Sequence, residues 1–205
     1  MKTGAPRLFR RSIVLAAAGI LAVMLTACTG SGGGSLPPNE LAGFYGKASF
    51  AFNFSCEDKG GINPQTGQLR LQLTYTDHGT SQLLSAPFSI QGTADTLDPV
   101  LESMFCIGQN PPEPANELIF VGRYRPTTPP PAGFPSTCPT RETKTTPLCR
   151  FEVTVQDIDG NLAGSTGDFF SIKLSSATAV TSVLDPLTVF YARAGYLERG
   201  NLTVR

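Results

Sequence analysis

Two neighbouring stretches alternate apolar and polar side chains with a period of two, and that period constrains the fold more than any other feature of the chain. In K-A-S-F-A-F-N-F-S-C, Lys47 to Cys56, the side chains of Ala48, Phe50, Phe52, Phe54 and Cys56 share one face, with Ser49, Ala51, Asn53 and Ser55 on the other. In Q-L-R-L-Q-L-T-Y-T-D, Gln68 to Asp77, the inward set is Leu69, Leu71, Leu73 and Tyr75, and the outward set is Gln68, Arg70, Gln72, Thr74 and Thr76. Successive side chains of a strand point to opposite faces, so each stretch is a half-buried strand. The polar E-D-K-G-G-I-N-P-Q-T-G between them predicts an antiparallel hairpin in which Phe faces Leu across the strands.

The remaining chain repeats the theme. Phe88–Ile90, Glu117–Arg125, Cys149–Asp159 and Asp168–Ser176 read as strands, and L-T-V-F-Y-A-R-A and G-N-L-T-V-R as a last pair around a glycine-containing turn. In Cys149–Asp159, Phe151, Val153 and Val155 are expected inside, with Arg150, Glu152, Thr154 and Gln156 outside. Asp98–Gly108 fits either a helical turn or an irregular strand. Residues 126–148 are rich in Pro and Thr; proline has no N–H to give a ladder, so this is a long surface loop. Eight or nine short strands with turns between them predict an all-β fold, a single antiparallel β-sandwich, with a closed β-barrel as the alternative.

The N-terminus has a different character. Lys2, Arg7, Arg10 and Arg11 precede the uncharged run Ile13–Leu25, the pattern of a secretory signal. The run is shorter than the roughly 20 apolar residues of a membrane-spanning helix. It ends in Leu25-Thr26-Ala27-Cys28, which resembles the lipobox of bacterial lipoproteins. That resemblance implies cleavage before Cys28 and a diacylglyceryl group on its thiol, placing the protein on the extracytoplasmic side of a membrane. Thr29 in place of Asp after the cysteine implies the outer membrane or cell surface. The expected organisation is a signal at 1–27, a lipidated flexible tether at 28–40 and an all-β domain at 41–205. Residues 29–40, T-G-S-G-G-G-S-L-P-P-N-E, show no apolar period, and Gly and Ser make a flexible coil.

The formal net charge of the 205 residues is zero, but four of the cations lie in the signal, so the remainder is acidic. An acidic surface excludes nucleic acid as a partner and gives no electrostatic hold on anionic lipid. The expected membrane contact is therefore the N-terminal lipid, and the other partner an unknown protein or glycan ligand. Of five cysteines, lipidation of Cys28 leaves an even four. These can pair in three ways; local pairing of Cys138–Cys149 would pin the Pro/Thr loop and leave Cys56–Cys106. Their spacing fits no usual zinc pattern.

Asp157, Asp159, Asn161 and Asp168 gather hard oxygen ligands within a few residues and form a candidate calcium loop, although Asp, Asn and Gly also suit an ordinary hairpin turn. His78, the one histidine, sits at a turn with no second histidine to share a metal. G-x-S-x-G, H-E-x-x-H and the phosphate-loop Gly-Lys-Ser/Thr are all missing. No catalytic residue and no required cofactor are therefore expected.

G-K-A-S-F-A-F-N (Gly46 to Asn53), a following P-x-T-G-Q-L, V-G-R-Y (Val121 to Tyr124), F-x-V-x-V-x-D (Phe151 to Asp157), G-D-F-F-S-I (Gly167 to Ile172) and G-N-L-T-V (Gly200 to Val204) occur in this order. Together they resemble the post-COAP domain of secreted bacterial proteins. The resemblance implies an extracytoplasmic all-β module and carries over no catalytic residue. The expected role is a lipid-anchored, non-catalytic binding or structural module of the cell envelope. The alternative is an envelope glycan hydrolase using paired carboxylates, which needs a cleft with two converging acids, whereas a binding module needs an exposed apolar patch.

Overall fold

The computed structural model describes residues 29–57, 68–94, 116–127, 129–143, 146–158, 167–178 and 186–204. Nine strands form one antiparallel sheet: β1 (Thr29–Leu36), β2 (Ala48–Glu57), β3 (Gln68–Asp77), β4 (Phe88–Thr93), β5 (Glu117–Pro126), β6 (Cys149–Gln156), β7 (Phe169–Ser175), β8 (Val189–Tyr196) and β9 (Arg199–Val204). The spatial order is β8-β7-β6-β5-β4-β3-β2-β1-β9. The sheet curls into a half-barrel, an all-β architecture compatible with either a sandwich or a barrel. The expected hairpin is present, with Phe52 opposite Leu73 and Phe54 opposite Leu71.

The curl gathers inward side chains of β2 to β9, among them Phe50, Phe52, Phe54, Leu71, Leu73 and Tyr75, into one core. Phe50 of β2 stacks on Phe170 of β7 with ring centroids 3.6 Å apart, and Phe54 stacks on Phe120 of β5 at 5.6 Å. Aromatic rings from both sides of the curl thus fill its interior, and their large apolar area drives the closure.

Three expectations are corrected. Residues 28–40 were expected to be a flexible tether, yet Thr29–Leu36 is a strand between β2 and β9. Its inward residues Gly30, Gly32 and Gly34 have no Cβ, so Leu118, Leu202 and Leu197 close directly onto its backbone. An ideal Cβ at Gly32 would lie 2.6 Å from Leu202 Cδ2 and 2.7 Å from the Asn201 carbonyl oxygen. The strand has no hydropathy pattern because its contribution to the core is the space it leaves. The described sheet therefore includes Thr29–Leu36, within the stretch expected to be tether.

The last two strands are not a hairpin. β8 and β9 stand at opposite ends of the strand order and run in the same direction. At their junction Leu197 N–H donates to Asp168 O (2.9 Å) and Glu198 N–H to Ser35 O (2.8 Å). One stretch of chain thus changes neighbours, from β7 to β1, and draws the two ends of the sheet together.

Arg150 and Glu152, expected outside, are buried. The segment after β7 folds over this outer face: Ala177 O accepts from Arg150 N–H, and Thr178 O and Leu148 O accept from the Arg123 guanidinium at 3.0 and 2.7 Å. The Pro/Thr loop also does more than run over the surface. Its Phe134 packs edge-on against Phe88, Tyr124 and Phe190. Cys138 and Cys149 are disulfide-bonded with Cα atoms 5.3 Å apart, tying the loop to the start of β6.

Candidate functional site

At the end of the half-barrel where β1 finishes, two loops meet. Residues 37–47 contain a 3-10 turn at Glu40–Ala42, whose N-cap Asn39 accepts from Ala42 N–H through its side chain. Residues 78–87 are joined to it by Tyr45 N–H to Thr80 O (3.1 Å) and Gln82 N–H to Gly43 O (3.2 Å). Gly46 and Gly79 lie back to back where the loops cross; an ideal Cβ on either would come within 2.4 Å of the other's Cα. Between these loops and β8 lies a cavity of about 350 Å³, walled by Ala42–Phe44, Ser81–Leu83 and Val189–Ala192. That volume lies at the small end of the range for ligand pockets. The walls are mostly apolar and hold no carboxylate. Leu83 is 63% exposed at the rim, and Leu41 and Leu187, next to the walls in sequence, are almost fully exposed.

A buried polar network supports the floor. The inward face of β3 ends in Tyr75 and Asp77, and that of β8 carries Tyr191 and Arg193. Arg193 pairs with Asp77 Oδ2 at 3.0 Å and donates to the carbonyls of Pro37 (2.8 Å) and Gly46 (2.7 Å). Its guanidinium also lies 4.9 Å from the centre of the Phe44 ring in the cavity wall. Tyr191 donates to Asp77 Oδ2 at 2.6 Å, which uses its one proton, so Tyr75 is the donor in the Tyr75–Tyr191 hydroxyl contact. Gly79 N–H donates to Asp77 Oδ1. Burial pushes the hydroxyls of Tyr75 and Tyr191 far above the usual phenol range. Burial works against the charge of Arg193, but Tyr75, Asp77 and Tyr191 outweigh it, and the net shift is upward. Every member is partnered, so the network fixes loops and leaves no group poised for proton transfer.

Sequence reasoning missed this network. Asp77 stands at the end of its stretch with no role given to it, and Y-A-R-A reads as strand by β-propensity alone. The available signal was the period: Tyr191 and Arg193 share a face, as do Tyr75 and Asp77. His78 is exposed, as expected of a turn residue, and its Nε2 lies 2.8 Å from Ser49 Oγ. The pair does not extend to a triad, because the Asp77 carboxylate points inward to Arg193 and Tyr191.

The structure gives two of the candidate calcium ligands another task. Asp168 Oδ1 accepts from Ile158 N–H (3.1 Å) and Oδ2 from Leu202 N–H (2.7 Å), while Asp157 Oδ2 accepts from Val204 N–H (3.3 Å). Strand β9 pairs with β1 along one edge, and these carboxylates receive amides on its other edge. Asp159 and Asn161 lie outside the described residues, and among the described residues no group of three His, Cys, Asp or Glu side chains is placed to hold a metal ion. Cys28 and Cys106 also lie outside the described residues, and with them the lipidation site and the Cys56–Cys106 pairing.

Comparison with known proteins adds nothing to this geometry: no family model, no curated protein and no solved structure matches the chain.

Proposed function

We infer that this chain is a lipid-anchored envelope protein whose β domain is a non-catalytic binding module, and that the apolar cavity between the two end loops receives its partner. The observation that carries the reading is this cavity with its exposed leucines and no acid in its walls. Such a site, mostly apolar with Ser81 and Gln82 as its polar members, takes an aliphatic or aromatic side chain of a partner protein. Lipid attachment rests on L-T-A-C at the end of the apolar run.

The post-COAP resemblance fits the same reading. V-G-R-Y, F-x-V-x-V-x-D, G-D-F-F-S-I and G-N-L-T-V supply Arg123, Asp157, Asp168 and the β9 amides, all of which hold strands and loops together.

The test uses a soluble form starting at Thr29, since a chain cut at Leu41 would lack the strand between β2 and β9. Envelope proteins retained by this form are compared with those retained by Leu83→Asp. Loss of a partner with unchanged circular dichroism supports the cavity; equal retention removes it. Release of sugars from envelope glycan by the parent would favour the hydrolase. For the anchor, incorporation of a clickable fatty acid is compared between parent and Cys28→Ala, and equal labelling removes the lipid.

A further inference from the structure

Strand β8 ends the described sheet on one side, and the strand it pairs with is β7. Alternate residues of an antiparallel strand turn their N–H and C=O toward one side and then the other. Leu197 N–H donates to Asp168 O, one step past the Tyr196–Phe169 pair. Alternate positions back from Leu197 make Gly195, Arg193 and Tyr191 the residues bonded to β7, and leave Ala194 and Ala192 with their backbone groups turned away from it. Among the described residues nothing bonds to the backbone of these two alanines on that side.

The cavity opens onto this bare edge. It is walled by four consecutive residues, Val189 to Ala192, and by none of β7. Successive side chains of a strand point to opposite faces, so a space that touches all four meets the strand from its side. Proteins commonly block an open edge with charge or proline. The exposed residues of β8 are instead Ala192, Ala194 and Tyr196, and the two alanines leave room for a second backbone. We propose that a segment of the partner protein binds in extended conformation as an added strand on the free edge of β8, pairing with Ala192 and Ala194 while one of its apolar side chains enters the cavity. This rests on the cavity as the partner site and adds the backbone form of the partner. Main-chain pairing supplies affinity, and the cavity selects the side chain at one position.

The probe is a displayed library of short linear peptides selected on the purified full chain. Selected peptides, resynthesised, should lose about tenfold or more in affinity for both Leu83→Asp and Ala192→Pro. Ala192→Pro removes an N–H that β7 does not use, and edge strands tolerate proline. N-methylation of the peptide gives a readout that needs no variant protein. Methyl groups on one alternate set of amides should weaken binding by a similar factor, and those on the amides between should not. Uniform tolerance of N-methylation overturns strand addition; if sensitivity to Leu83→Asp persists, the cavity stands. Indifference to Leu83→Asp, or selection of no peptide, overturns the cavity and the added strand with it. A parent dimer that Ala192→Pro converts to monomer makes a second copy the occupant, and overturns the proposal in favour of self-association.

Discussion

Arg193 is where one loop, residues 37–47, and two strands are joined through one guanidinium, which reaches Asp77, Pro37 O and Gly46 O from a site almost closed to solvent. Removing one partner of such a pair strands the other charge in the core. Arg193→Met should therefore lower stability by about 3–5 kcal/mol, read as a shift in the urea midpoint. The exposed Lys47–Glu198 pair has a similar 2.8 Å separation, but solvent screens it, so Lys47→Met should cost under about 1 kcal/mol. A comparable loss from both would sink the argument that burial separates them. Asp168 provides the second contrast. Asp168→Asn replaces one accepting oxygen by a donor aimed at a backbone N–H, and should cost about 1.5–3 kcal/mol. Hydrogen exchange at the Leu202 amide should speed up with it. Calcium added to the parent should leave the melting temperature unchanged, since the carboxylates of Asp157 and Asp168 already bind β9. None of these roles was legible from residue type. Asp157 and Asp168 were noticed as oxygen ligands, but only the fold turns their oxygens toward amides from a distant strand.

At the scale of elements, legibility followed side-chain contrast. Strands β2 and β3 were legible to within a residue because Phe and Leu alternate with polar groups along each. Strand β1 was illegible because glycine has no side chain to alternate, and its ladders come from β2 and β9, which are remote in sequence from each other. The two faces of β1 should respond differently to a methyl group. Gly32→Ala meets Leu202 and the Asn201 carbonyl at 2.6 and 2.7 Å and should cost about 1–3 kcal/mol. Gly33→Ala faces out, with its nearest neighbour, the Phe50 carbonyl oxygen, at 3.1 Å, and should cost less than Gly32→Ala. Thermal melts of the two variants decide it; equal effects would mean that β1 is not packed as described. The β8–β9 junction was misread for a related reason: a nearby glycine suggests a hairpin, but Leu197 and Glu198 bond to different strands.

For the molecule as a whole, three buried phenols make high pH a weakness. Burial raises the hydroxyl pKa of Tyr75, Tyr124 and Tyr191 above the usual phenol value of 10.0. In the unfolded chain these groups ionise near pH 10 while the folded protein still holds their protons, so their stabilising contribution is complete below pH 10 and declines above it. The loss should approach about 1.4 kcal/mol per pH unit for each tyrosine, measured as the urea midpoint against pH. Tyrosinate absorbance from these residues should rise together with unfolding, and Tyr124→Phe should make the decline shallower. Tyrosinate from all three in a chain that keeps its circular dichroism would contradict their burial. By itself the sequence determined the all-β class, the strands with strong alternation and the Pro/Thr loop, because these depend on neighbours within a few residues; of three open cysteine pairings the structure chose Cys138–Cys149. Only the tertiary structure decided that a glycine run is a strand, that the last strand changes partners to draw the sheet ends together, and that two loops form an apolar cavity over an Asp–Arg–Tyr network. Those features depend on residues more than a hundred positions apart, such as Asp77 and Arg193, and local hydropathy holds no record of such contacts.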